Sequence, residues 1–130
     1  EGGDVRHIMK SSDNGFNGFG EAYFSSINYG AIKAWKRHNK MTLNLVVPIG
    51  EVSLVCYDDR VGSESYGLFS EIVFLKNNYG RITIPPMIWF GFKGISPEKS
   101  LIINIADIEH DPFEVDRKNE NEIEYSWEVI

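Results

Sequence analysis

The 130-residue sequence has a single cysteine and no long apolar run. Cys56 alone excludes an internal disulfide, and its alternation with Val52 and Leu54 predicts a buried, unreactive thiol. No stretch approaches the roughly 20 apolar residues that cross a bilayer, and the chain does not open on a charged segment followed by an apolar one. We therefore expect a cytoplasmic protein with no membrane partner.

Basic residues and histidines are also scarce. The 13 Lys and Arg against 19 Asp and Glu give a net charge of −6, which argues against a nucleic-acid partner because such binding needs basic surface. Metal sites on β-strands use two imidazoles two residues apart, with a carboxylate and a third histidine. Lys36 stands two residues before His38 where a second imidazole is needed. We therefore expect no metal.

No segment indicates a helix of ordinary length, whereas short β-rich runs separated by turn residues fill most of the chain. Eight such runs predict an all-β sandwich or barrel, and they are Glu21 to Ile27, Ala31 to Lys36, Thr42 to Val47, Glu51 to Tyr57, Leu68 to Leu75, Arg81 to Ile84, Ile88 to Phe92 and Leu101 to Ile105. The length fits one domain over residues 1–130 with a single core. Residues 1–18 are expected to form an N-terminal loop or arm, and residues 108–130 a charged C-terminal segment that is irregular over 111–121.

Positive charge is concentrated in one part of this acidic chain. Lys33, Lys36, Arg37 and Lys40 put four cations within eight residues, whereas Asp107 to Glu124 is strongly acidic. A local basic patch on an acidic protein suits a small anionic ligand better than a polymer. The alternative is a solvated face with no ligand.

Four segments resemble the sugar-epimerase branch of the cupin superfamily, the dTDP-4-dehydrorhamnose 3,5-epimerase family. They are Gly20 to Ser26, the Gly-x-x-Lys-x-Trp-Lys-x-His motif at 30 to 38, Gly50 to Arg60, and Ile84-Pro85-Pro86 running to Gly91-Phe92. Asp111-Pro112 and the tail to Trp127 add a weaker match. The resemblance implies a double-stranded β-helix, or jelly roll.

The resemblance also implies a reaction that uses no cofactor. In the family, a nucleotide-linked 4-keto sugar loses a proton beside its carbonyl to a histidine base, and a tyrosine acid returns a proton on the other face. Here the histidine position holds Lys36, the arginine position holds Lys33, and the tyrosine position falls near His110. A lysine base needs its pKa lowered by burial and by neighbouring cations. Our hypothesis is that Lys36 is the base, His110 the acid, and Lys33 with Arg37 the anion-binding charges.

Further residues are candidates for contact with a nucleotide sugar. Aromatic faces stack on sugar and base rings, so Tyr23 and Trp89 are expected to bind substrate together with Arg37, His38 and Asn44, although aromatics in a β-rich chain are more often core. An apolar sheet face including Phe16, Phe19, Tyr23 and Phe24 predicts a homodimer. Because the family's histidine and tyrosine are replaced, a non-catalytic carbohydrate- or nucleotide-sugar-binding relative on the same fold is the alternative function.

Overall fold

The computed structural model describes residues 1–129, with Val129 described by its backbone alone. All eight predicted strands are confirmed to within two residues at each end. The strands are β1 (Glu21–Ile27), β2 (Ile32–His38), β3 (Leu43–Ile49), β4 (Val52–Tyr57), β5 (Phe69–Phe74), β6 (Ile82–Ile84), β7 (Trp89–Gly94), β8 (Ser100–Ala106) and β9 (Val115–Arg117). Short 3₁₀ turns at Pro112–Glu114, Glu120–Glu122 and Trp127–Val129 complete the elements.

The strands form two antiparallel sheets. Sheet 1 has the order β1-β8-β3-β6, and sheet 2 has the order β5-β4-β7-β2-β9. Neighbours in each sheet are mostly distant in sequence, as expected of a jelly roll in which the chain passes repeatedly from one sheet to the other. The predicted fold class is therefore confirmed.

The core lies between the two sheets and follows from alternation along the strands. Leu43 and Leu45 of β3 face Val52 and Leu54 of β4 across a layer that also contains Phe90 of β7. Cys56 lies partly buried against the same layer, and burial raises its pKa to about 12, so the thiol stays protonated at neutral pH.

The C-terminal segment covers the outer face of sheet 2. Trp127 and Ile123 pack there on Trp35, Val55 and Trp89, forming a second apolar cluster. The prediction of irregular structure over 111–121 was wrong for Val115–Arg117, which pairs as β9 with Lys36–His38 at the sheet edge. Three residues with no apolar alternation give no sequence signal for a strand. Residue 130 of the predicted C-terminal segment lies outside the described residues.

The N-terminal residues lie against sheet 1 without joining it. Residues 1–20 contain turns and no strand or helix. Arg81 anchors them, because its guanidinium donates to the Asp13 carboxylate at 3.0 Å and to the carbonyls of Ile8 and Asn14 at 3.1 and 3.0 Å. Gly15 can approach Thr83 closely only because it lacks a Cβ, which would lie 2.4 Å from the Thr83 hydroxyl.

Candidate functional site

A cavity of about 710 Å³ opens between the two sheets. Its walls come from both sheets and from the C-terminal segment. Apolar side chains, including Leu43, Leu45 and Phe90, form much of its surface, and a small set of polar groups converges on it. A pocket of this size and composition fits a small organic ligand.

A bulge in β2 brings the cationic side chains of this strand into the cavity. Ala34 pairs with Gly91 and Lys36 with Phe90, so Trp35 is an extra residue on β2. In a regular strand, residues 33 and 36 would point to opposite faces. The extra residue restores the phase, so that Lys33 and Lys36 both line the cavity while the Trp35 ring packs on the outer face of sheet 2.

Three cations surround the polar part of the cavity. Lys33, Lys36 and Arg117 line it, and Glu122 is the one acidic residue among the described lining residues. Partial burial lowers the pKa of Lys36, and the nearby charges of Arg117 and Lys33 lower it further. Lys118 also lines the wall, but its ammonium lies 4.9 Å from the centre of the Trp89 ring. The cavity therefore favours an anionic ligand.

His38 lies in the cavity wall and is almost fully buried. It is 5% exposed, and its Nδ1 contacts the Glu114 carboxylate. The ring stacks on Phe90, with centroids 6.0 Å apart and planes 12° from parallel. The structure thus brings His38 to the predicted site, with a buried carboxylate that sequence reasoning missed. Glu114 belongs to a short turn in a charged segment, where nothing in the local pattern singles out one acid.

Tyr23 reaches the cavity from the opposite sheet. Its hydroxyl accepts a hydrogen bond of 3.1 Å from the buried Asn104 side chain, and Asn104 is itself fixed by the backbone amide of Asn44 at 3.0 Å. Because Asn104 is the donor, the Tyr23 hydroxyl proton is free to be given to another acceptor. Tyr23 is therefore held in a defined position on the side of the cavity formed by sheet 1.

The structure corrects the predicted site at two residues. Arg37 and Trp89 were expected to bind substrate, but both lie on the outer face of sheet 2. They are paired across β2 and β7. The Arg37 guanidinium lies 4.7 Å from the centre of the Trp89 ring and donates to Asp116 and Asp59 at 2.8 and 3.3 Å. These contacts hold the pKa of Asp116 below its usual range. Arg37 is thus neutralised in a structural cluster, and Trp89 packs beneath it.

Asn44 and His110 also lie outside the cavity lining, which corrects their predicted roles in this site. The Asn44 side chain donates to the Gly15 carbonyl at 3.0 Å and accepts from the Thr83 hydroxyl at 2.6 Å, so it ties the N-terminal residues to sheet 1. Its neighbours Leu43 and Leu45 point inward, which sends Asn44 to the other face. His110 is exposed, and its backbone amide donates to Glu21.

The described residues contain no group of three or more His, Cys, Asp or Glu side chains arranged to hold a metal ion. None of the helices described for this chain is long and apolar enough to span a membrane.

Known proteins similar to this chain share its fold and are named as sugar epimerases or isomerases. No protein-family model matches it. A dTDP sugar isomerase from Desulfovibrio desulfuricans is 35% identical, superposes with a TM-score of 0.93, and is matched over 100% of this chain and 85% of its own length. The dTDP-4-dehydrorhamnose 3,5-epimerase of Sulfolobus tokodaii is 20% identical with a TM-score of 0.78, over 92% of this chain and 70% of its own, which is a likeness of fold.

Curated proteins add two relatives from polysaccharide synthesis. The probable low-salt glycan biosynthesis epimerase Agl13 of Haloferax volcanii is 37% identical over 84 residues, which are 64% of this chain and 54% of that protein. The spore coat polysaccharide biosynthesis protein SpsL of Bacillus subtilis is 24% identical over 96% of this chain and 85% of its own length. The chain thus spans about half of the archaeal epimerase but most of the bacterial isomerase. On that match, which covers the whole of this chain, it belongs to the same family as the dTDP sugar isomerase.

Proposed function

We propose that the protein is a nucleotide-sugar epimerase or isomerase that acts on a dTDP-linked 4-keto-6-deoxy sugar by cofactor-independent proton transfer. The observation that supports this best is the cavity itself, which combines apolar walls with Lys33, Lys36 and Arg117. A nucleotide sugar has a ring to pack against apolar side chains and a diphosphate to pair with cations. The 35% identical relative is named as a dTDP sugar isomerase.

Proton transfer beside a carbonyl needs a base, a cation or donor for the enolate oxygen, and an acid on the opposite face. Lys36 lies in the cavity wall, where its lowered pKa supports a part in this chemistry as base or as cation. His110 lies outside the lining, so we assign the acid to Tyr23 instead. The Tyr23 hydroxyl faces the cavity from sheet 1 with its proton free.

Deuterium incorporation tests the proposed reaction. The protein is incubated with a dTDP-4-keto-6-deoxyhexose in deuterated water, and exchange at the carbons beside the ketone is followed by NMR. We expect exchange with the unmodified protein, its loss with Lys36→Ala, and no change with Lys99→Ala, which removes an exposed lysine outside the cavity lining. An unmodified protein that gives no exchange contradicts the proposed reaction.

The alternative is a non-catalytic relative that binds the same sugar nucleotide. What favours it is Lys36 at the position that holds the family's histidine. Binding without catalysis would appear in the same experiment as ligand-induced shifts of protein resonances with no deuterium uptake. The absence of both would leave only the fold in common with the family.

We further propose a cytoplasmic homodimer that works in surface-polysaccharide or deoxysugar synthesis, as the names of the two curated relatives suggest. β1 is an edge strand of sheet 1, and Phe24 on it and Phe19 just before it are 69% and 65% exposed. A second copy covering this face would remove both rings from water. Light scattering after size-exclusion chromatography should give twice the 14.8 kDa mass of the chain, and a monomer at micromolar concentration would contradict the dimer.

A further inference from the structure

We propose that β5 is a second site of self-association, at which two copies of the chain pair their β5 strands antiparallel, edge to edge, around a twofold axis. This contact joins the two copies of five-stranded sheet 2 into one continuous sheet. The inference goes beyond the proposed function and depends neither on the reaction nor on the dimer through Phe19 and Phe24. Two separate twofold contacts on one chain bring four chains together.

β5 (Phe69–Phe74) is an edge strand of sheet 2 with an open side. Among residues 1–129 its only partner strand is β4. Six successive residues of β5 pair with β4 without a register shift, whereas the pairs β2–β7 and β3–β8 each contain one. An edge strand presents a row of unpaired backbone amides and carbonyls that can template another strand. The regular geometry of β5 keeps this row in line.

The edge at β5 has few of the features that normally prevent pairing. Edges are usually protected by proline, lysine, a bulge or a very short strand. Residues 68–75 contain no proline, glycine, lysine or arginine. The opposite edge of sheet 2, β9, has three residues, as does the β6 edge of sheet 1. β5 is therefore the long, unprotected edge of sheet 2.

Apolar side chains follow this edge on the outer face of sheet 2. Phe69, Val73 and Leu75 are separated by even numbers of residues, which places them on the same face. They are 36%, 36% and 40% exposed. Phe69 also packs on Tyr125 of the C-terminal segment, with ring centroids 5.1 Å apart. A strand laid beside β5 would remove the exposed parts of this row from water.

The one charge within residues 68–75 belongs to Glu71, and it does not shield the open side. Its carboxylate accepts a hydrogen bond from the Tyr125 hydroxyl. Burial and the Glu71 carboxylate raise the pKa of Tyr125 to about 12, so this hydroxyl keeps its proton at neutral pH. The contact draws Glu71 toward the C-terminal segment on the outer face of the sheet.

The sequence of β5 is complementary to itself in one register. Opposite residues of an antiparallel pair share a face, so the twofold axis passes beside one residue of each strand. The two registers with the fullest overlap are centred on Glu71 and on Ile72. The first places two carboxylates directly opposite, which is destabilising. The second places Glu71 opposite Val73 of the second copy and Phe69 opposite its Leu75, which favours a second copy as the partner.

An apolar cleft beside β5 gives a second reason for cover at this edge. The cleft has a volume of about 250 Å³. Leu68 and Ile72 line it on the side of sheet 2, and Ile82 and Ile84 of β6 line it on the side of sheet 1. Both β5 and β6 are edge strands, so the cleft lies where the two sheets part. A second copy paired with β5 extends sheet 2 past the mouth of this cleft.

Light scattering over a range of protein concentrations tests the contact. A contact of one strand with one strand is small, so we expect it to be weaker than the face contact. The mass should rise from twice toward four times 14.8 kDa between micromolar and near-millimolar protein. In Phe24→Asp, which disrupts the face contact, the rise should run from one to two times that mass. The two contacts can therefore fail independently, and an unmodified protein whose mass does not rise would overturn the proposal.

The sign of a charge introduced at position 73 tests the register. In the Ile72 register, Val73→Glu places two pairs of carboxylates opposite each other, so association should weaken by about tenfold or more. Val73→Lys places an ammonium opposite each Glu71 and should keep the association. Val61→Glu is the matched control, because it adds the same charge at an exposed loop position outside β5. Val73→Glu that associates normally, or Val73→Lys that does not associate, would overturn the proposal.

Hydrogen exchange of the unmodified protein gives a measurement that does not depend on the folding of any variant. Backbone amides on the open side of β5 have no partner strand in the single chain, and pairing would give them one. Their exchange should slow as protein concentration rises to near-millimolar. Amides of the exposed loop at residues 61–67 should be unaffected. Exchange in β5 that is equally fast at both concentrations would overturn the proposal.

Discussion

The C-terminal segment owes its position on sheet 2 to Trp127, and Trp127→Ala should release it. The indole is 5% exposed and packs against Trp35 and Tyr125, with ring centroids 5.3 and 5.0 Å away. Gly91 makes room for it, since a Cβ there would lie 3.1 Å from the indole ring. Two hydrogen bonds assist: Lys93 donates to the Trp127 carbonyl at 2.7 Å, and the Trp35 indole to the Glu120 carbonyl at 3.1 Å.

The size of the effect follows from two opposing contributions. Truncating a buried tryptophan to alanine costs about 3–5 kcal/mol of the free energy of unfolding. The indole N–H of Trp127 is buried without a partner among the described residues, and an unsatisfied donor of this kind costs about 1–3 kcal/mol in the unmodified protein. Removing it offsets part of the loss, so Trp127→Ala should cost about 2 kcal/mol net.

Urea unfolding measures this loss of the free energy of unfolding, and two matched variants serve as controls. Trp127→Phe keeps an aromatic ring and removes the unpaired N–H, so it should cost under about 1 kcal/mol. Phe113→Ala removes a ring that is 95% exposed and should leave stability within about 0.5 kcal/mol. Because the same segment brings Asn119 and Glu122 to the cavity wall, Trp127→Ala should also weaken dTDP binding. A loss below about 1 kcal/mol in Trp127→Ala, with dTDP binding intact, would refute the reasoning.

The remaining predictions concern other parts of the molecule. Arg81→Ala removes the bonds that anchor the N-terminal residues, so stability should fall by about 1.5–3 kcal/mol and backbone amides near Asp13 should exchange faster in hydrogen-exchange experiments. Hydrogen bonds from Arg60 hold the pKa of buried Asp58 far below its ordinary value of 3.8, so this stabilisation is present above that pH and lost as pH falls below it. Asp58→Asn should therefore flatten the acid limb of a stability profile measured by urea unfolding. Lys36→Met should raise the free energy of unfolding at pH 7. Burial lowers the pKa of folded Lys36 below 10.5, so the charged side chain destabilises the fold increasingly as pH falls from that value toward neutrality.

Strand positions were predictable because short runs of β-favouring residues are separated by turn residues along the chain. In the structure, Leu43, Leu45, Val52 and Leu54 of β3 and β4 belong to one buried layer. β9 was not predictable, because only one of its three residues is apolar. Its strand conformation depends on pairing with β2. A short edge strand of this kind depends on its neighbour rather than on its own pattern.

The candidate site was predictable only in part. Lys33, Lys36, His38 and Tyr23 were expected and do line the cavity. Arg37 was expected there as well, since it lies among the other cations in sequence, but strand alternation places it on the outer face of sheet 2, where carboxylates surround it.

The sequence by itself determined an all-β fold with a cationic strand, because composition and local periodicity are read along the chain without reference to distant residues. Tertiary structure alone decided which cations share the cavity and which carboxylate meets His38. The bulge at Trp35 decided which cations share the cavity, since one extra residue reverses the faces of the residues that follow it. The carboxylate that meets His38 is Glu114. The two residues are 76 positions apart and meet only because the C-terminal segment folds onto β2.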